Sequence, residues 1–510
     1  YKVIGILSNK NNQIGSNIHG IRVYDKDVNA DKVIEKLKII GKNPQKIVLS
    51  HNNPQERLRK FVNIADKHGL TVGILPELSN LHDGKNNNHH SNNNILNIRP
   101  IKIEDLLGRT QSNLNISSMQ EMIHDKVVMI TGAGGTIGSE IVKQLVKFKP
   151  KKLILLEISE FNLYNITQEL NEINASIINN KNNYGDNSSD KYQVDFSSII
   201  TDVKDRNKIF SLMQLHKPQI VFHAAAIKHV PIAEENIIET ISTNVLGSIN
   251  IADSAIDNNV ESMILISTDK AVNPSSIMGV SKRLAEIYCH SLGMHNEINQ
   301  STKFATIRFG NVLGSSGSVV PLFEKQLKQG GPLTITDENV ERYFMTVNEA
   351  VSLVIQSATL SHNQITKSNI YVLDMGKPIK IKDLAIQMIK MAGLKPDIDI
   401  KISSIGLRPG EKLQEELFYH SEKLINTQCK SIMLATPTSI EYNFVMDQFK
   451  AIVSHSKQNK LDNLLNVIYQ LIPEYKNNCD IAANSALKYD STDENKIIDL
   501  KHKRKILSNK

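Results

Sequence analysis

Residues 127–138 read Val-Val-Met-Ile-Thr-Gly-Ala-Gly-Gly-Thr-Ile-Gly. The apolar run Val127–Thr131 is typical of a buried strand, and a helical pattern follows from about Thr136 to Lys147. Glycines spaced by three between a strand and a helix form a tight turn that lets a pyrophosphate approach the backbone at the helix N-terminus. The stretch therefore predicts a dinucleotide-binding Rossmann unit. We assign the turn's cofactor contacts to Gly132, Gly135, Thr136, Ile137 and Gly138.

Residues that follow the neighbouring predicted strands fit the same cofactor. Glu157 ends the strand Lys152–Glu157, where an acidic side chain accepts hydrogen bonds from the ribose 2′-OH and repels a 2′-phosphate. This favours NAD, and NADP stays possible because Ser159 nearby can accommodate a phosphate. Small or polar residues after two later strands are expected to contact the adenine or let the cofactor lie close to the backbone. They are Asp202, Val203, Ala224, Ala225 and Ala226.

A second informative stretch, residues 267–282, reads Ser-Thr-Asp-Lys-Ala-Val-Asn-Pro-Ser-Ser-Ile-Met-Gly-Val-Ser-Lys. It is similar to the catalytic strand and helix of a short-chain dehydrogenase/reductase, with Met278 in place of the Tyr of the Tyr-x-x-x-Lys pair. A thioether neither donates nor accepts a proton at pH 7. Either the protein is inactive or its acid–base chemistry lies elsewhere, and Asp269 and Lys270 are the candidates.

The order of elements predicts an α/β protein with two Rossmann-like, doubly wound parallel-sheet domains, the second carrying a smaller C-terminal substrate-binding subdomain. We place an N-terminal nucleotide-binding-like α/β domain at 1–110 and the NAD(P)-binding Rossmann domain at 111–310. Residues 311–440 form mainly the substrate subdomain, with parts that return to the Rossmann core. Residues 441–510 form C-terminal helices and a polar tail. Asn-rich stretches at 84–94 and 176–192 predict surface loops.

Composition excludes several classes of protein. The 510 residues carry 60 Lys and Arg against 53 Asp and Glu, and this net charge of +7 is spread along the chain, so no nucleic-acid partner is expected. The three cysteines form no Cys-x-x-Cys pair, which argues against disulfides and a zinc site; we expect no metal and a reducing cytosol. The sequence contains no run of 18 apolar residues, so no membrane-spanning helix is predicted.

Several segments together resemble the CapD-like nucleoside-diphosphate-sugar 4,6-dehydratases of capsule, O-antigen and glycan synthesis, which are extended short-chain dehydrogenases. The resemblance is to the long, membrane-anchored members with a Ser-Met-Lys arrangement. It implies that an N-terminal membrane anchor is missing, that the full-length protein lies in the bacterial cytoplasm at the inner face of the membrane, and that the protein is a homo-oligomer. The matching segments are Gly132–Gly138, Leu155–Leu170, Phe222–Glu235, Ser267–Lys282, Arg308–Pro321, Arg342–Thr346 and Leu407–Leu417.

The resemblance implies dehydration of a UDP-sugar, most simply UDP-N-acetylglucosamine, to a 4-keto-6-deoxy sugar with retention at C5. Lys270, with a pKa depressed by burial and by the cation Lys282, would act as base, and Asp269 as acid. Lys282 would hold the cofactor and ease loss of the 4-OH proton, which Thr268 or a bound water would relay. Met278 would line the nicotinamide side.

Polar residues further along the chain are candidates for binding the UDP-sugar. Guanidinium groups suit diphosphate oxygens, so Arg342 and Arg408 are expected to clamp the diphosphate. Asn311 and Glu411 would bind sugar or nucleotide, and Lys228 would touch the sugar or only line the cleft. Two alternatives stay open: a UDP-sugar 4-epimerase, which needs no C5 base or C6 acid, and a non-catalytic NAD-binding scaffold in a glycan-assembly complex.

Overall fold

The computed structural model describes residues 2–8, 12–25, 30–50, 55–75, 99–100, 105, 114–182, 192–295, 302–364, 366, 368–437 and 440–475. The Asn-rich stretch 84–94 and the polar tail 476–510 lie outside the described residues. By internal packing the chain divides into two compact units. The first comprises residues 1–111, 318–340 and 379–406, and the second comprises 112–317, 341–378 and 407–510. The four-segment domain organisation stays a prediction.

The strands are numbered in chain order. They are β1 Ile6–Ser8, β2 Asn17–Ile18, β3 Ile21–Asp25, β4 Lys46–Leu49, β5 Thr71–Ile74, β6 Arg99–Pro100, β7 Val127–Thr131, β8 Lys152–Glu157, β9 Phe196–Ile200, β10 Ile220–His223, β11 Ser262–Ile266, β12 Lys303–Arg308, β13 Asn311–Val312, β14 Leu333–Ile335, β15 Glu341–Arg342, β16 Phe344–Met345, β17 Ser368–Leu373, β18 Ile379–Lys380, β19 Ile402–Ser404, β20 Lys423–Asn426 and β21 Ile432–Thr436.

The α-helices are numbered in the same way. They are α1 Ala30–Ile39, α2 Gln55–His68, α3 Ile116–Ile123, α4 Thr136–Val146, α5 Glu160–Asn182, α6 Arg206–His216, α7 Val230–Glu235, α8 Ile237–Ile241, α9 Gly247–Asp257, α10 Ile277–Met294, α11 Val319–Lys328, α12 Val347–His362, α13 Ile381–Met391, α14 Tyr442–Lys457 and α15 Leu461–Leu471. A π-helix at Ser242–Leu246 joins α8 to α9, and a 3-10 turn lies at Asp269–Ala271.

The second unit is built on a nine-stranded sheet in the order β20-β21-β17-β12-β11-β10-β7-β8-β9. The strands from β9 to β17 are parallel, and β21 and β20 extend the sheet in antiparallel fashion. The order turns back between β7 and β10, the switch point at which doubly wound sheets bind ligands beyond the carboxyl ends of their strands. The predicted α/β fold class is confirmed.

Helices cover both faces of this sheet, and the alternation of side chains along a strand supplies each face. Val128 and Ile130 of β7 point into one core, which α3, α4, α5 and α12 complete. Met129 points to the other face, into a core shared with α6, α9, α10, α14 and α15. The sheet is thus buried on both sides, so its strands are nearly continuous apolar runs, as the sequence pattern indicated.

The first unit contains two three-stranded sheets, in the orders β1-β3-β2 and β4-β5-β6, and the two-stranded sheet β14-β19, together with α1 and α2. The pairs β1–β3 and β4–β5 are parallel. Two later segments of the chain belong to this unit. Within it, Lys390 of α13 donates to the Asn63 side chain of α2 at 2.9 Å.

One predicted loop is partly wrong. Helix α5 continues to Asn182, so residues 176–182 are helical rather than part of an irregular insert at 176–192, and 183–191 lie outside the described residues. Asn is only a moderately poor helix former, and the helix extends through it once its earlier turns pack on the sheet. Among the described residues, no helix combines the length and apolar character needed to cross a membrane.

Candidate active site

The glycine-rich turn lies at the switch point of the large sheet. Gly132 has a φ of +64°, and a Cβ there would lie 2.8 Å from the backbone of Ala225. A Cβ on Gly138 would overlap the carbonyl oxygen of Gly132, so the helix packs against the turn only without one. Helix α4 begins after Gly135, which offers no side-chain cap, and its first N–H groups have no partner within the helix. This cradle fits the pyrophosphate of a dinucleotide.

The other predicted cofactor residues lie at the same edge of the sheet. Glu157, at the end of β8, accepts hydrogen bonds from the backbone N–H of Gly134 at 3.0 Å, Ile158 at 3.0 Å and Ser159 at 3.1 Å. The carboxylate therefore holds the glycine turn, and Oε2, which accepts one of the three bonds, keeps a further lone pair. Ala224, Asp202 and their neighbours follow β10 and β9 directly. The structure brings these residues together; their contacts with a cofactor stay a prediction.

Thr268, Asp269 and Lys270 form one hydrogen-bonded group directly after β11. The Asp269 side chain is fully buried, and its Oδ1 accepts from the Thr268 hydroxyl at 2.8 Å and from Lys270 Nζ at 3.0 Å. The Asp269 Oδ2 has no hydrogen-bond partner among the described residues. A buried carboxylate oxygen without a partner is costly in a folded protein, and such groups concentrate at functional sites.

The predicted depression of the Lys270 pKa is wrong. Burial alone would lower it, but the carboxylates of Asp269 and Glu415 outweigh both burial and the repulsion of Arg342, and they hold the pKa above its ordinary value. The amide oxygen of Asn311 accepts a further bond from Nζ at 3.1 Å. In the free protein Lys270 is therefore an ammonium ion. The contribution of Glu415, which lies in a distant segment, was not predicted from the sequence.

Lys282 and Met278 lie in the first two turns of α10. Burial lowers the pKa of Lys282 to about 8, against the opposing charge of Glu286, and Nζ donates to the carbonyl oxygen of Ile266 at 2.9 Å. Met278 is 3% exposed, and its carbonyl accepts from the Ser281 hydroxyl at 2.7 Å. Lys282 is thus the buried cation of this helix, and Met278 contributes apolar surface.

The two arginines predicted to bind the diphosphate, Arg342 and Arg408, differ in their hydrogen bonds to the rest of the protein. Arg342 donates through Nη1 to the carbonyls of Glu341 and Leu413, and through Nη2 to the carbonyl of Lys412 and to Glu411. Its four Nη hydrogens are therefore all used, and three of the four bonds hold the segment 407–417.

Arg408, by contrast, is exposed, and its guanidinium forms no hydrogen bond or ion pair with a described residue. Lys228 is exposed too and makes no such contact. These two cations are free to meet an anionic ligand, whereas binding through Arg342 would require its present bonds to break.

Two residues near the site, Glu415 and Asn244, were not predicted from the sequence. Glu415, whose side chain is 4% exposed, lies with Oε1 3.6 Å from Lys270 Nζ and 4.0 Å from Arg342 Nε. Asn244, in the π-helix, pairs through its amide with both backbone groups of Ile227 and donates to Ser281 at 2.8 Å. A π-helix has no sequence signature, although such turns often mark functional sites.

A buried ion network lies under the Thr268–Lys270 turn. Arg308, fully buried at the end of β12, donates to both oxygens of Glu286 at 2.9 and 2.8 Å and to Glu422 at 2.7 Å. The Ser267 hydroxyl donates to Glu286 at 2.6 Å. The network ties β11, β12 and α10 together and so fixes the positions of the strand ends that carry the site.

Comparison with known proteins agrees with this architecture. A family model described as polysaccharide biosynthesis protein matches residues 128–437, more than half of the chain. The capsular polysaccharide biosynthesis protein CapD of Staphylococcus aureus is 39% identical over 421 residues, which cover 82% of this chain and 64% of CapD. This chain therefore spans slightly less than two thirds of the length of that relative.

Two further relatives are named for particular reactions. A UDP-N-acetylglucosamine 4,6-dehydratase (inverting) of Campylobacter jejuni is 32% identical over 62% of this chain and 84% of its own length. A UDP-glucose 4-epimerase of Rickettsia canadensis is 33% identical over 58% of this chain and 80% of its own length. The chain belongs to the polysaccharide biosynthesis protein family and is CapD-like, as its motifs predicted.

Proposed function

We propose that this protein is a nucleotide-sugar 4,6-dehydratase that converts UDP-N-acetylglucosamine to a UDP-4-keto-6-deoxy sugar for polysaccharide synthesis. The observation that carries the proposal is the buried Asp269–Lys270 pair at the carboxyl edge of the sheet, with one Asp269 oxygen unpartnered. A dehydratase needs an acid and a base for elimination, beyond the redox step at C4. The name of the Campylobacter jejuni relative supports dehydration and the sugar, although that relative is named as inverting and we propose retention at C5.

Different residues of the chain carry the different proton transfers of the proposed reaction. A bound nicotinamide would take hydride from C4 and later return it to C6. Thr268 accepts the 4-OH proton as its own hydroxyl proton passes to Asp269, along the 2.8 Å hydrogen bond. Lys270, once neutral, removes the C5 proton, which the C4 ketone makes acidic. Asp269 then protonates the departing 6-OH, and Lys270 returns a proton to C5 from the same face, with retention of configuration.

The remaining assignments are parts of the same proposal. Glu157 favours NAD, because a buried carboxylate at the ribose repels the 2′-phosphate of NADP. Lys282 holds the nicotinamide ribose. Arg408 and Lys228 supply positive charge for the diphosphate, since their side chains are exposed, and Asn311 and Glu411 border the sugar. A homo-oligomer at the inner face of the bacterial membrane is the proposed assembly of the full-length protein.

Mass spectrometry of the product is the direct test. The purified protein with NAD and a panel of UDP-sugars should convert UDP-N-acetylglucosamine to a product lighter by one water. In deuterated water the product should carry deuterium at C5. Lys270→Met should abolish turnover and retain NAD binding. A wild-type protein that binds NAD and releases no such product would contradict the proposal.

The second candidate function is 4-epimerisation, which the Rickettsia canadensis relative favours. An epimerase needs the C4 redox step and leaves C5 and C6 untouched. It would give a product of unchanged mass, with no deuterium at C5 and with turnover that survives Lys270→Met. The buried acid–base pair beside the site has no task in that reaction, so we favour dehydration.

A further inference from the structure

Glu415 brings a second buried carboxylate to Lys270. Its Oε1 lies 3.6 Å from Lys270 Nζ, and its side chain forms no hydrogen bond with a described residue. The segment that carries it is fixed on both sides. Arg342 binds the carbonyls of Lys412 and Leu413, and Lys412 Nζ donates to the carbonyl of Val272 at 3.0 Å. Glu415 is thus held against the ammonium group by the fold.

The proposed reaction creates a need for such a group. In the free protein Lys270 carries a proton, because Asp269 and Glu415 raise its pKa. At the moment of elimination Lys270 must be neutral and Asp269 protonated. Two protons have by then left their starting atoms, one from the 4-OH and one from Lys270. Asp269 holds the first of them, so the second needs another acceptor inside a buried site.

We propose that Glu415 stores the proton of Lys270 during elimination, an inference that rests on the proposed dehydratase function. Once Asp269 receives the 4-OH proton through Thr268, its negative charge is lost and the ammonium ion is held less strongly. The Lys270 proton then moves to Glu415 Oε1, which leaves a neutral amine and a carboxylic acid. This transfer separates no net charge, since an ion pair becomes a neutral pair.

The protons balance over one turnover. Lys270 takes the C5 proton and becomes an ammonium ion, while Asp269 gives its proton to the 6-OH, which leaves as water. Lys270 returns a proton to C5 when hydride arrives at C6. Glu415 then gives the stored proton back to Lys270, and both carboxylates and the ammonium ion are restored. The net loss is one water, formed from the 6-OH and the proton first taken from the 4-OH.

The other groups that face Lys270 and Glu415 do not serve as the acceptor. Asn311 presents an amide oxygen, a very weak base. Arg342 stays charged at every relevant pH and is bound on four sides. Tyr343, whose pKa is raised by burial and by the charges of Asp269 and Glu341, is already a protonated phenol. Glu415 is therefore the acceptor within reach among the described residues.

The test compares Glu415→Gln with wild type and with Glu416→Gln. Glu416 is the matched control, because it adjoins Glu415, is 41% exposed and accepts from Asn273 outside the Lys270 group. Glu415→Gln should lower kcat about 100-fold, the lower end of the range for acid–base groups, while KM for UDP-N-acetylglucosamine stays within about threefold of wild type. Its kcat should rise with pH between 7 and 9 more steeply than that of wild type, because solvent must remove the Lys270 proton, whereas any titration of Lys282 is common to both proteins.

The conservative variant Glu415→Asp keeps an acceptor and should recover part of kcat and the wild-type pH profile. Melting temperature and NAD affinity, measured on each variant, show whether folding is intact. A Glu415→Gln variant with wild-type kcat, or with a lower kcat that rises with pH no more steeply than wild type, would overturn the proton store while dehydration by wild type stands. If wild type itself dehydrates no UDP-sugar, the function and this inference fall together.

Discussion

Replacing Arg308 by Met should destabilise the protein strongly. The guanidinium is fully buried and makes three charge-assisted bonds, two to Glu286 and one to Glu422, at 2.7–2.9 Å. Met has a similar length and no charge, so it fills the space and leaves the carboxylates behind. Ser267 and Arg283 still donate to Glu286, whereas Glu422 keeps the backbone N–H of Tyr419.

Removing one partner of a buried ion pair costs about 3–5 kcal/mol, because the other charge stays buried without compensation. The remaining donors to Glu286 place the expected loss towards the lower end, at about 3 kcal/mol. Urea unfolding followed by circular dichroism at pH 7 measures it. The control is Arg206→Met, since Arg206 pairs with Asp253 at 2.8 Å but is 57% exposed, and such surface pairs contribute about 0–1 kcal/mol.

The pH dependence supplies a second check. Burial alone would raise the pKa of Glu286, but Arg308 and the other donors outweigh it and hold that pKa below its ordinary value. A carboxylate with a lowered pKa stabilises the folded state above its unfolded pKa, about 4.3, and this stability is lost as pH falls through the folded value. In Arg308→Met the Glu286 carboxyl loses the largest of the interactions that lower its pKa, so it protonates at higher pH. The difference in unfolding free energy between wild type and Arg308→Met should therefore become smaller below about pH 5.

Two results would refute this reasoning. One is an Arg308→Met variant whose unfolding free energy lies within about 1 kcal/mol of wild type, no further than the Arg206→Met control. The other is a gap that stays constant or widens as the pH falls, because the loss would then not come from buried, ionised carboxylates.

Two further predictions concern buried bases. Burial and the charge of Lys282 lower the pKa of His223 to about 3, so below about pH 6.5 the unfolded chain binds a proton that the folded state excludes. His223→Asn should therefore reduce the loss of stability as the pH falls from about 6.5 towards 4, which urea unfolding at several pH values measures. An unchanged slope of unfolding free energy against pH would contradict this. Lys282 has a pKa of about 8 in the folded protein against about 10.4 in the unfolded chain, so its burial lowers the free energy of unfolding at pH 7. Lys282→Met should therefore raise the free energy of unfolding by about 1–2 kcal/mol, after allowance for the lost hydrogen bond to Ile266, and should weaken NAD binding in a titration. A variant less stable than wild type would contradict this.

The fold was predictable because its signals are local. The apolar runs of β7, β8 and β10 and the glycine turn after β7 each have a recognisable pattern, and parallel strands bring their carboxyl ends to one edge. The same argument places Glu157, Ala224 and Thr268 together at that edge. Nothing beyond spacing and strand order was needed for this part of the site.

The electrostatics of the site were not predictable in this way. The direction of the Lys270 pKa depends on Glu415, which reaches it from an irregular segment whose path is set by the bonds of Arg342 to Lys412 and Leu413. Hydropathy patterns carry no information about such loop contacts. For the same reason the sequence could not show that the Nη groups of Arg342, a predicted diphosphate ligand, bind the protein itself.

The presence of Met278 changes how a proton can travel in the proposed reaction. A Tyr at that position would take the 4-OH proton itself. The buried thioether of Met278 cannot, so the proton passes to the Thr268 hydroxyl, which donates to Asp269. The proton from the 4-OH then arrives at the acid that expels the 6-OH, so oxidation prepares elimination. This link occupies Asp269 and removes it as an acceptor for Lys270. A dehydratase without the Tyr therefore needs a second buried carboxylate near its lysine, and Glu415 lies 3.6 Å away.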